Sequence, residues 1–454
     1  MKKTFWLLLG SVLIFSCCNR PATATAPKSG WDTVHEILKN ISAPVFRDAV
    51  YDVTKYGAKS DTTYDSRPAF IAAINACNKN GGGTVLVPAG TYYMGGPVVL
   101  KSYVNLHLEE GSRLEFSTDP DDYLPMVLTK WEGTECYNYS PFIYCYQGTD
   151  VGLTGKGEID GNGAVTFNGW HALQRPAMNR LRQMGNDSVP VYQRVFGDGS
   201  YLRPCMIQFF GCKNVLIEDV KIYDSPFWII HPVYCDNVIV RNVFIDGNNY
   251  NNDGCDPESS TNVLIENVEF NVGDDGIAIK SGRDQDGWRI GQPTENVIIR
   301  GCHFARWAIT IGSEMSGGVR NIFIENCKID SCRNGIYFKS NLDRGGYFEN
   351  LYMRNITADI CHWGMINFRT DYHGYRGGNY PTQFRNITIE DIACNRVDSV
   401  GIMANGIPEA KLHNITLRNI DIKKAPKATQ MQNVVNLVLD NVTVNGKTVT
   451  GENE

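Results

Sequence analysis

The segment Asn214-Val215-Leu216-Ile217-Glu218-Asp219 decides the fold, because close variants of it recur throughout the second half of the chain. The shared unit is an asparagine, usually a valine or isoleucine, any residue, an aliphatic residue and a charged or polar pair. The copies are NVLIED at 214, NVIVRN at 237, NVLIEN at 262, NVIIRG at 296, NIFIEN at 321, NLYMRN at 350, NITIED at 386, NITLRN at 414 and NLVLDN at 436. Repeats with a period of roughly 20 to 50 residues are typical of solenoids.

The spacing and patterning of the copies select one kind of solenoid. Successive copies stand 23, 25, 34, 25, 29, 36, 28 and 22 residues apart. Each copy alternates like a β-strand and is usually followed by a second short strand. A leucine-rich repeat is excluded, because the units contain neither a helical segment nor a leucine framework. The pattern predicts an all-β fold, a parallel β-helix whose coils stack at about 4.8 Å, with aliphatic ladders inside and the leading asparagines stacked at a turn.

The longer spacings and the N-terminal half add two predictions to this frame. The extra residues in the spacings of 34 and 36 predict loops on one side, where solenoids usually bind their ligands. A strand at Val50–Lys55 and an amphipathic helix at Asp65–Asn78 precede the repeats. Together they predict an N-terminal helical cap over the open end of the solenoid, whose edge would otherwise recruit other strands.

The first residues predict export. Lys2 and Lys3 precede a short apolar run that is too brief to span a bilayer. Ser16-Cys17 then resembles the lipobox of bacterial lipoproteins, in which the cysteine is lipidated; an ordinary signal peptide is the alternative. We therefore expect a lipoprotein signal peptide at 1–17, a tether and short helix (Trp31 to Ile41) at 18–48, and a catalytic β-helix domain at 49–450. The expected location is the periplasm, the outer membrane or the cell surface, with membrane contact only through the lipid on Cys17.

The charge of the chain limits the classes of partner that it is expected to bind. The net charge is -6 and no basic stripe is visible, which argues against a nucleic-acid partner. An acidic protein can still bind an acidic polysaccharide if its cations are gathered in one cleft.

Apart from Cys17 and Cys18, the sequence contains 12 cysteines, and several of them occupy repeat positions otherwise held by valine or isoleucine. We therefore expect these cysteines to fill the core as small hydrophobic side chains. The sequence contains no CxxC pair that would suggest a metal site.

Two acidic motifs carry the candidate chemistry. Asp253 and Asp256 lie in Asn252-Asp253-Gly254-Cys255-Asp256-Pro257, and Asp274 and Asp275 lie in Gly273-Asp274-Asp275-Gly276. Asp253 and Asp274 are 21 residues apart, close to one coil, so both can lie on one face. One pKa in such a cluster should rise, because neighbouring carboxylates resist ionising together. Glycoside hydrolysis needs such a pair, a protonated acid and an ionised carboxylate. Alone, each motif is more typical of a turn.

The chain from about residue 51 to the last repeats resembles the polygalacturonases of glycoside hydrolase family 28. The resemblance rests on YGAKSD (56–61), GGGTVLVPAGTY (81–92), GKGEIDGNG (155–163), NNDGCDP (251–257), GDDGIAIKSG (273–282), IGSEMSGGVRNI (311–322) and GIYFKS (335–340). It implies a right-handed parallel β-helix and inverting hydrolysis of α-linked galacturonic acid in pectic oligo- or polysaccharides, without metal or cofactor. It also implies that Asp274 is the general acid and that Asp253 and Asp275 activate the water. Inversion requires roughly 6.5–9.5 Å between acid and base.

The chain departs from the family pattern at two positions. Arg306 stands where the family has a histidine, and Tyr337-Phe338-Lys339 stands for Arg-Ile-Lys, so that only Lys339 of that grip on the substrate remains. An arginine pairs bidentately with a uronate carboxylate, so we expect Arg306 to bind substrate; the alternative is a solvated loop residue. The departures leave two substrates open, polygalacturonan and rhamnogalacturonan-derived oligosaccharides.

Further substrate-binding candidates are Lys280 and Glu314, which lie within the motifs, Tyr337, and His231, about one coil before Asp253. Structural roles are the alternatives for Lys280 and His231. Residues 123–201 resemble loops inserted over the cleft, which predicts exo action. Two other functions stay open. One is a pectate lyase on the same fold, working by calcium-assisted elimination, and the other is a catalytically degenerate glycan-binding surface lipoprotein.

Overall fold

The computed structural model describes residues 30–450. The predicted signal peptide and the lipidation of Cys17 therefore lie outside the described residues. Within the described range no helix is both long and apolar enough to cross a bilayer. The chain winds into a right-handed parallel β-helix, which confirms the predicted fold class.

Each coil contributes short strands to three faces of the solenoid. The first face carries the sequence repeat and runs through Val50–Asp52, Gly83–Val87, Val104–Leu108, Thr149–Gly155, Lys213–Glu218, Asp236–Arg241, Thr261–Glu266 and Thr294–Arg300. The second face comprises Gly90–Met94, Ser112–Phe116, Glu158–Asp160, Lys221–Tyr223, Phe244–Asp246, Glu269–Asn271 and His303–Phe304. The third face comprises Val98–Val99, Ile143–Tyr146, Ile207–Phe210, Ile230–Val233, Ile277–Ile279, Ile309–Ile311, Val400–Asn405 and Lys427–Gln432.

Towards the C-terminus the strands lengthen and run from one face onto the next. These long strands are Val319–Lys339, Tyr347–Arg369, Gln383–Val397, Leu412–Ile422 and Val434–Val444, and Lys447–Thr448 folds back on the last of them. The two longest continue from the first face through the second onto the third. The register is parallel throughout these coils, so equivalent residues of successive repeats stack directly above one another.

The leading asparagines set the corners between strands. All nine adopt the left-handed conformation, with φ between 55° and 59°. Asparagine is one of the few residues other than glycine that visits this region readily. Their side chains also hydrogen-bond along the stack, for example from Asn237 Nδ2 to Asn214 Oδ1 at 2.9 Å and from Asn321 Nδ2 to Asn296 Oδ1 at 3.0 Å. The asparagine of the repeat thus supplies both the turn and a ladder that fixes the register.

The interior is filled by the aliphatic positions of the repeat and by cysteines. One column of paired residues runs through Val215, Val238, Val263, Val297 and Ile322. All twelve cysteines of the described range are buried as free thiols. They act there as small hydrophobic side chains, as expected from their repeat positions.

Two N-terminal segments cover surfaces of the solenoid. The helix Arg67–Lys79 closes the first coils and buries Phe70 and Ile74 in the core. The predicted helix at Trp31–Ile41 is shorter, a turn at Gly30–Thr33 followed by the helix Val34–Leu38. It packs along the outside of the first face, against a column that begins at Leu216 and ends at Tyr352. The third position of the repeat, which tolerates any residue in the sequence, is therefore apolar where this segment lies over it.

Residues 123–201 are not all inserted loops. Ile143–Asp160 completes a regular coil, and the insertions are a hairpin, Val127–Trp131 with Thr134–Asn138, and a helical insert at residues 164–202. The helical insert contains the helix Arg175–Asn186 and turns at Phe167–Ala172 and Val191–Gln193. A further short helix, Asp284–Ile290, follows the third face, and a turn at Pro120–Tyr123 precedes the hairpin. Hairpin and helical insert stand on the third-face side.

Candidate active site

The parallel register brings the three predicted aspartates together at the edge of the third face. Cys255 pairs with Ile277 on the next coil, and Asp253 and Asp275 each lie two residues earlier. The two residues are only 4% and 5% exposed. Asp274 accepts a hydrogen bond from the backbone N–H of Asp275 at 2.9 Å. All three line the floor of one cleft of about 950 Å³.

The cleft raises the pKa of two of these carboxyls. Burial, followed by the charge of Asp275, raises the pKa of Asp274 to about 6. Burial, followed by the charge of Asp256, raises the pKa of Asp253 well above its ordinary value. The arrangement favours a protonated acid beside an ionisable carboxylate, which is the division of roles that glycoside hydrolysis uses.

Two lysines stand among the aspartates. Lys339 Nζ lies 2.7 Å from Asp275 Oδ2, and Thr310 donates a hydrogen bond to the other oxygen of Asp275 at 2.7 Å. Lys280 Nζ lies 3.4 Å from Asp253 Oδ2 and 3.5 Å from Glu314 Oε2. Nearby carboxylates raise the pKa of both lysines despite burial, so both are cationic. The structure therefore places the predicted residues Lys280, Glu314 and Lys339 in the cleft with the aspartates.

Arginines form the opposite edge of the cleft. Arg283 Nη1 lies 2.9 Å from Glu314 Oε1, and Arg344 Nη2 lies 3.8 Å from the same oxygen. Burial opposes ionisation of Glu314, but Lys280, Arg283 and Arg344 outweigh it and hold the pKa of this carboxyl far below its usual range. Burial, followed by the charge of Arg344, lowers the pKa of Arg283 to about 9. The sequence interpretation missed both arginines, although Arg283 directly follows the GDDGIAIKSG motif.

The insertions cover the cleft from the N-terminal coils. Arg182 of the helical insert lines the cleft and pairs with Glu132 at the hairpin tip. At that tip Gly133 has a φ of +82°, and a Cβ there would lie 2.8 Å from Glu314 Cγ and 2.9 Å from Arg283 Cβ. Only glycine fits this turn, since both the backbone conformation and the close approach exclude a side chain. The hairpin therefore rests directly on the arginine edge.

Three predicted substrate-binding residues lie elsewhere. His231 is fully buried behind the site, with Nε2 2.9 Å from Glu258 Oε2, whose other oxygen lies 2.8 Å from Lys130 Nζ. Tyr337 is buried beneath Lys339, whose Nζ lies 4.9 Å from the ring centroid. Arg306 is exposed, on the turn that leads to Ile309, and is not among the residues that line the cleft. Neither Arg306 nor Tyr337, the two residues that depart from the family pattern, therefore lines the cleft with the aspartates.

One further acidic residue was not predicted as part of the site. Asp256 is fully buried, and neither of its carboxyl oxygens has a hydrogen-bond partner. Burial raises its pKa well above the ordinary value, although the charge of Lys280 opposes the shift. Asp256 thus adds a buried carboxyl to the acidic cluster behind Asp253.

Two buried tryptophans near the site differ in their position relative to the cleft. Trp228 lines the cleft with Lys280 Nζ 4.2 Å above its ring, whereas Trp131 packs against Phe227 in a separate buried cluster. Within residues 30–450 no group of three or more histidine, cysteine, aspartate or glutamate side chains is placed to hold a metal ion.

Fold and site together define a glycoside hydrolase built on a parallel β-helix. Comparison with known proteins gives the particular family: the chain belongs to Glycosyl hydrolases family 28, whose sequence profile matches residues 77–444. The predicted family and the predicted enzyme class are thereby confirmed.

Individual relatives share most of the chain. A probable polygalacturonase of Vitis vinifera is 28% identical, over 87% of this chain and 73% of that protein. An exo-poly-alpha-D-galacturonosidase of Dickeya chrysanthemi is 26% identical, over 78% of this chain and 63% of that protein. The crystal structure of a hyperthermoactive exopolygalacturonase from Thermotoga maritima superposes with a TM-score of 0.82 and 34% identity, over 90% of this chain and 95% of that chain.

Proposed function

We propose that this protein hydrolyses α-galacturonosyl bonds of pectic oligo- or polysaccharides, that it acts from the chain end, and that it inverts the anomeric configuration without a metal ion or cofactor. The observation that carries the proposal is the concentration of cations in the cleft of an acidic protein. Lys280, Lys339, Arg182, Arg283 and Arg344 all line the cleft that holds the three aspartates, while the whole chain has a net charge of -6. Such a local field suits a substrate with one carboxylate per sugar.

The proposed reaction uses the three aspartates in two roles. Asp274, whose pKa of about 6 leaves it largely protonated in mild acid, donates its proton to the oxygen of the leaving sugar. Asp253 and Asp275 activate the water that attacks the anomeric carbon on the opposite face. The Asp275 carboxylate, which pairs with Lys339, takes the one proton that the water loses, and Asp253 hydrogen-bonds the same water. Water thus supplies the new hydroxyl of the product, and the bond to the leaving oxygen breaks. Lys339 holds Asp275 in position through the 2.7 Å contact.

End-wise action is supported by the covering of the cleft. The hairpin and the helical insert block the side of the N-terminal coils, and Arg182 presents its charge from that cover. A chain end can enter such a cleft, whereas the middle of a long polymer would have to thread through it. The names of the Dickeya and Thermotoga relatives, both exo-acting on galacturonosyl substrates, agree with this assignment.

We propose two candidates for the leaving sugar, galacturonate and the rhamnose of rhamnogalacturonan fragments. Arg283 serves either case, because it lines the cleft and its guanidinium can pair with the carboxylate of the galacturonosyl unit that is cleaved off. The predicted export signal at residues 1–17 fits a polymeric substrate outside the cytoplasm, and Cys17 is the proposed point of lipid attachment.

A panel of defined pectic oligosaccharides tests the proposal. Homogalacturonan and rhamnogalacturonan fragments are incubated with the enzyme, with and without a chelator, and the products are followed by mass spectrometry. We expect saturated products released from one end and no effect of the chelator. An unsaturated, ultraviolet-absorbing product that disappears in chelator would identify a lyase, and binding with no released product would identify a non-catalytic glycan-binding protein.

A further inference from the structure

One register column connects the catalytic acid to three exposed residues on the following coils. The third-face residues Ile277, Ile309, Ile336 and Ile366 pair in succession. Asp274, Arg306, Arg333 and Trp363 each lie three residues before one of these isoleucines. Because coils stack at about 4.8 Å, the column extends from Asp274 over roughly 14 Å towards the C-terminal end of the solenoid.

Arg333 is held between two indole rings in this column. Its guanidinium carbon lies 3.9 Å from the ring centroid of Trp363 and 4.9 Å from that of Trp307, the neighbour of Arg306. Trp363 is 44% exposed, which is unusual for so large an apolar side chain. The two rings fix the planar guanidinium through cation–π contacts without covering it.

The charge of Arg333 is not compensated. On the first face, half-buried arginines pair with a carboxylate one coil earlier, as Arg300 does with Glu266 and Arg354 with Glu325. Across residues 30–450, neither Arg333 nor Arg306 has a carboxylate within salt-bridge distance. Two unpaired cations thus lie beside the exposed ring of Trp363 and the partly buried ring of Trp307, a combination that suits an anionic ligand with apolar faces.

The column lies on the side of the site that the insertions leave open. At the opposite edge Arg283, Asp284 and Arg344 are buried under the hairpin and the loop that carries Arg376, which pairs with Asp284 at 2.7 Å. A polymer whose end occupies the closed part of the cleft must therefore leave the site across the open edge. Arg306, Trp307, Arg333 and Trp363 line that route.

We infer that Trp307, Arg333 and Trp363 form a subsite for the pectic chain on the leaving-group side, beyond the sugars adjacent to the bond that is cleaved. This inference rests on the proposed function. The apolar face of a pyranose ring packs on the exposed indole of Trp363, and the guanidinium of Arg333 pairs bidentately with a uronate carboxylate. Arg306 supplies a second charge between this subsite and Asp274. The subsite favours long substrates over short ones, because only long substrates reach it.

Steady-state kinetics with a short and a long substrate tests the subsite. For Trp363→Ala we expect KM for polygalacturonate to rise about five- to tenfold, the loss typical of truncating an interface tryptophan. Arg333→Gln should raise the same KM to a similar extent. In both variants kcat/KM for digalacturonate should equal that of the unmodified enzyme. An unchanged KM for polygalacturonate, or an equal change for both substrates, would overturn the subsite.

The matched control is Tyr64→Ala. Like Trp363, Tyr64 is exposed and has a cation over its ring, since Lys59 Nζ lies 4.1 Å from the ring centroid. Tyr64 differs in that it precedes the capping helix and is not part of the proposed subsite. This variant should change neither KM. Binding of polygalacturonate to the Asp274→Asn protein, with and without Trp363→Ala, separates the two proposals. Weaker binding of polygalacturonate by the double variant than by Asp274→Asn would support the subsite. If the unmodified enzyme cleaved neither substrate, the proposed function would be refuted, but this binding result would still support the subsite.

Discussion

Asp253 and Asp275 occupy the same position on adjacent coils, each two residues before a member of the pair Cys255–Ile277. The parallel register of the neighbouring coils therefore brings the two side chains together, although both lie in the short irregular segments that lead to the third face. Lys339, two coils further on, reaches Asp275 from the same face at 2.7 Å. The regular stacking that gives the solenoid its core thus also supplies the geometry of its chemistry.

The pH dependence of catalysis should reflect Asp274. Because the acid must be protonated to donate, and its pKa is about 6, kcat/KM should fall roughly tenfold per pH unit above about pH 6. Lys339→Met removes a cation that lowers this pKa, so the alkaline limb should move to higher pH while kcat falls. Rate profiles between about pH 4 and pH 8 measure both effects. A limb that stays in place or moves to lower pH in the variant would contradict the assignment.

The stability of the fold should depend on the ionisation of the same residue. The folded pKa of Asp274, about 6, exceeds the ordinary value of 3.8, so its favourable contribution is complete below about pH 4 and is lost as the pH rises through 6. Asp274→Asn cannot ionise. Relative to the unmodified protein, the variant should gain up to about 3 kcal/mol of unfolding free energy between pH 4 and pH 7. Denaturant unfolding at the two pH values measures this, and a pH-independent difference would refute it.

Arg182→Gln should weaken substrate binding. The substitution removes a cleft-lining cation and leaves Glu132, its partner, facing the substrate carboxylates. We expect KM for oligogalacturonates to rise about tenfold with kcat nearly unchanged, and the salt dependence of KM to decrease. The control is Arg180→Gln on the same helix, since Arg180 lies over Phe196 and does not line the cleft. Equal effects of the two substitutions would show that the position in the cleft is irrelevant.

Trp31→Ala should reduce stability without affecting activity. The indole packs 5.6 Å from Phe323, lies 3.8 Å from the guanidinium of Arg354 and donates to Glu390 at 3.2 Å. Removing these half-buried contacts should cost about 2 kcal/mol, below the loss for a fully buried tryptophan. Thermal unfolding compared with Asp32→Ala, a substitution at the exposed neighbour, measures the effect. A reduced kcat in Trp31→Ala would indicate an unexpected link between the N-terminal segment and the cleft.

The sequence predicts the solenoid and the aspartates because both follow from local periodicity. The Asn-aliphatic repeat sets strand, corner and register, and a spacing of about one coil places Asp253 beside Asp274 and Asp275. The predicted pKa rise among these carboxyls also agrees with the structure, which assigns it to Asp274 and Asp253.

The remaining features depend on contacts that no periodicity encodes. Arg182, Arg283 and Arg344 are single basic residues in insertions or loops, and only the folded chain shows that they converge. His231 is predicted as a site residue because it lies about one coil from Asp253 in the sequence. In the structure its side chain contacts Glu258 behind the cleft. The apolar column under the N-terminal segment is hidden for a similar reason, since the third repeat position shows no preference in the sequence.

The turnover of Asp274→Asn on the oligosaccharide that the unmodified enzyme cleaves best tests most directly whether Asp274 is the catalytic acid. We predict a loss of about 10²–10⁴-fold in kcat, the contribution of a general acid, with circular dichroism unchanged. Asp421→Asn, an exposed substitution near the C-terminal end of the solenoid, serves as the control and should retain full activity. Turnover of Asp274→Asn close to that of the unmodified enzyme would contradict the assignment of Asp274 as the catalytic acid.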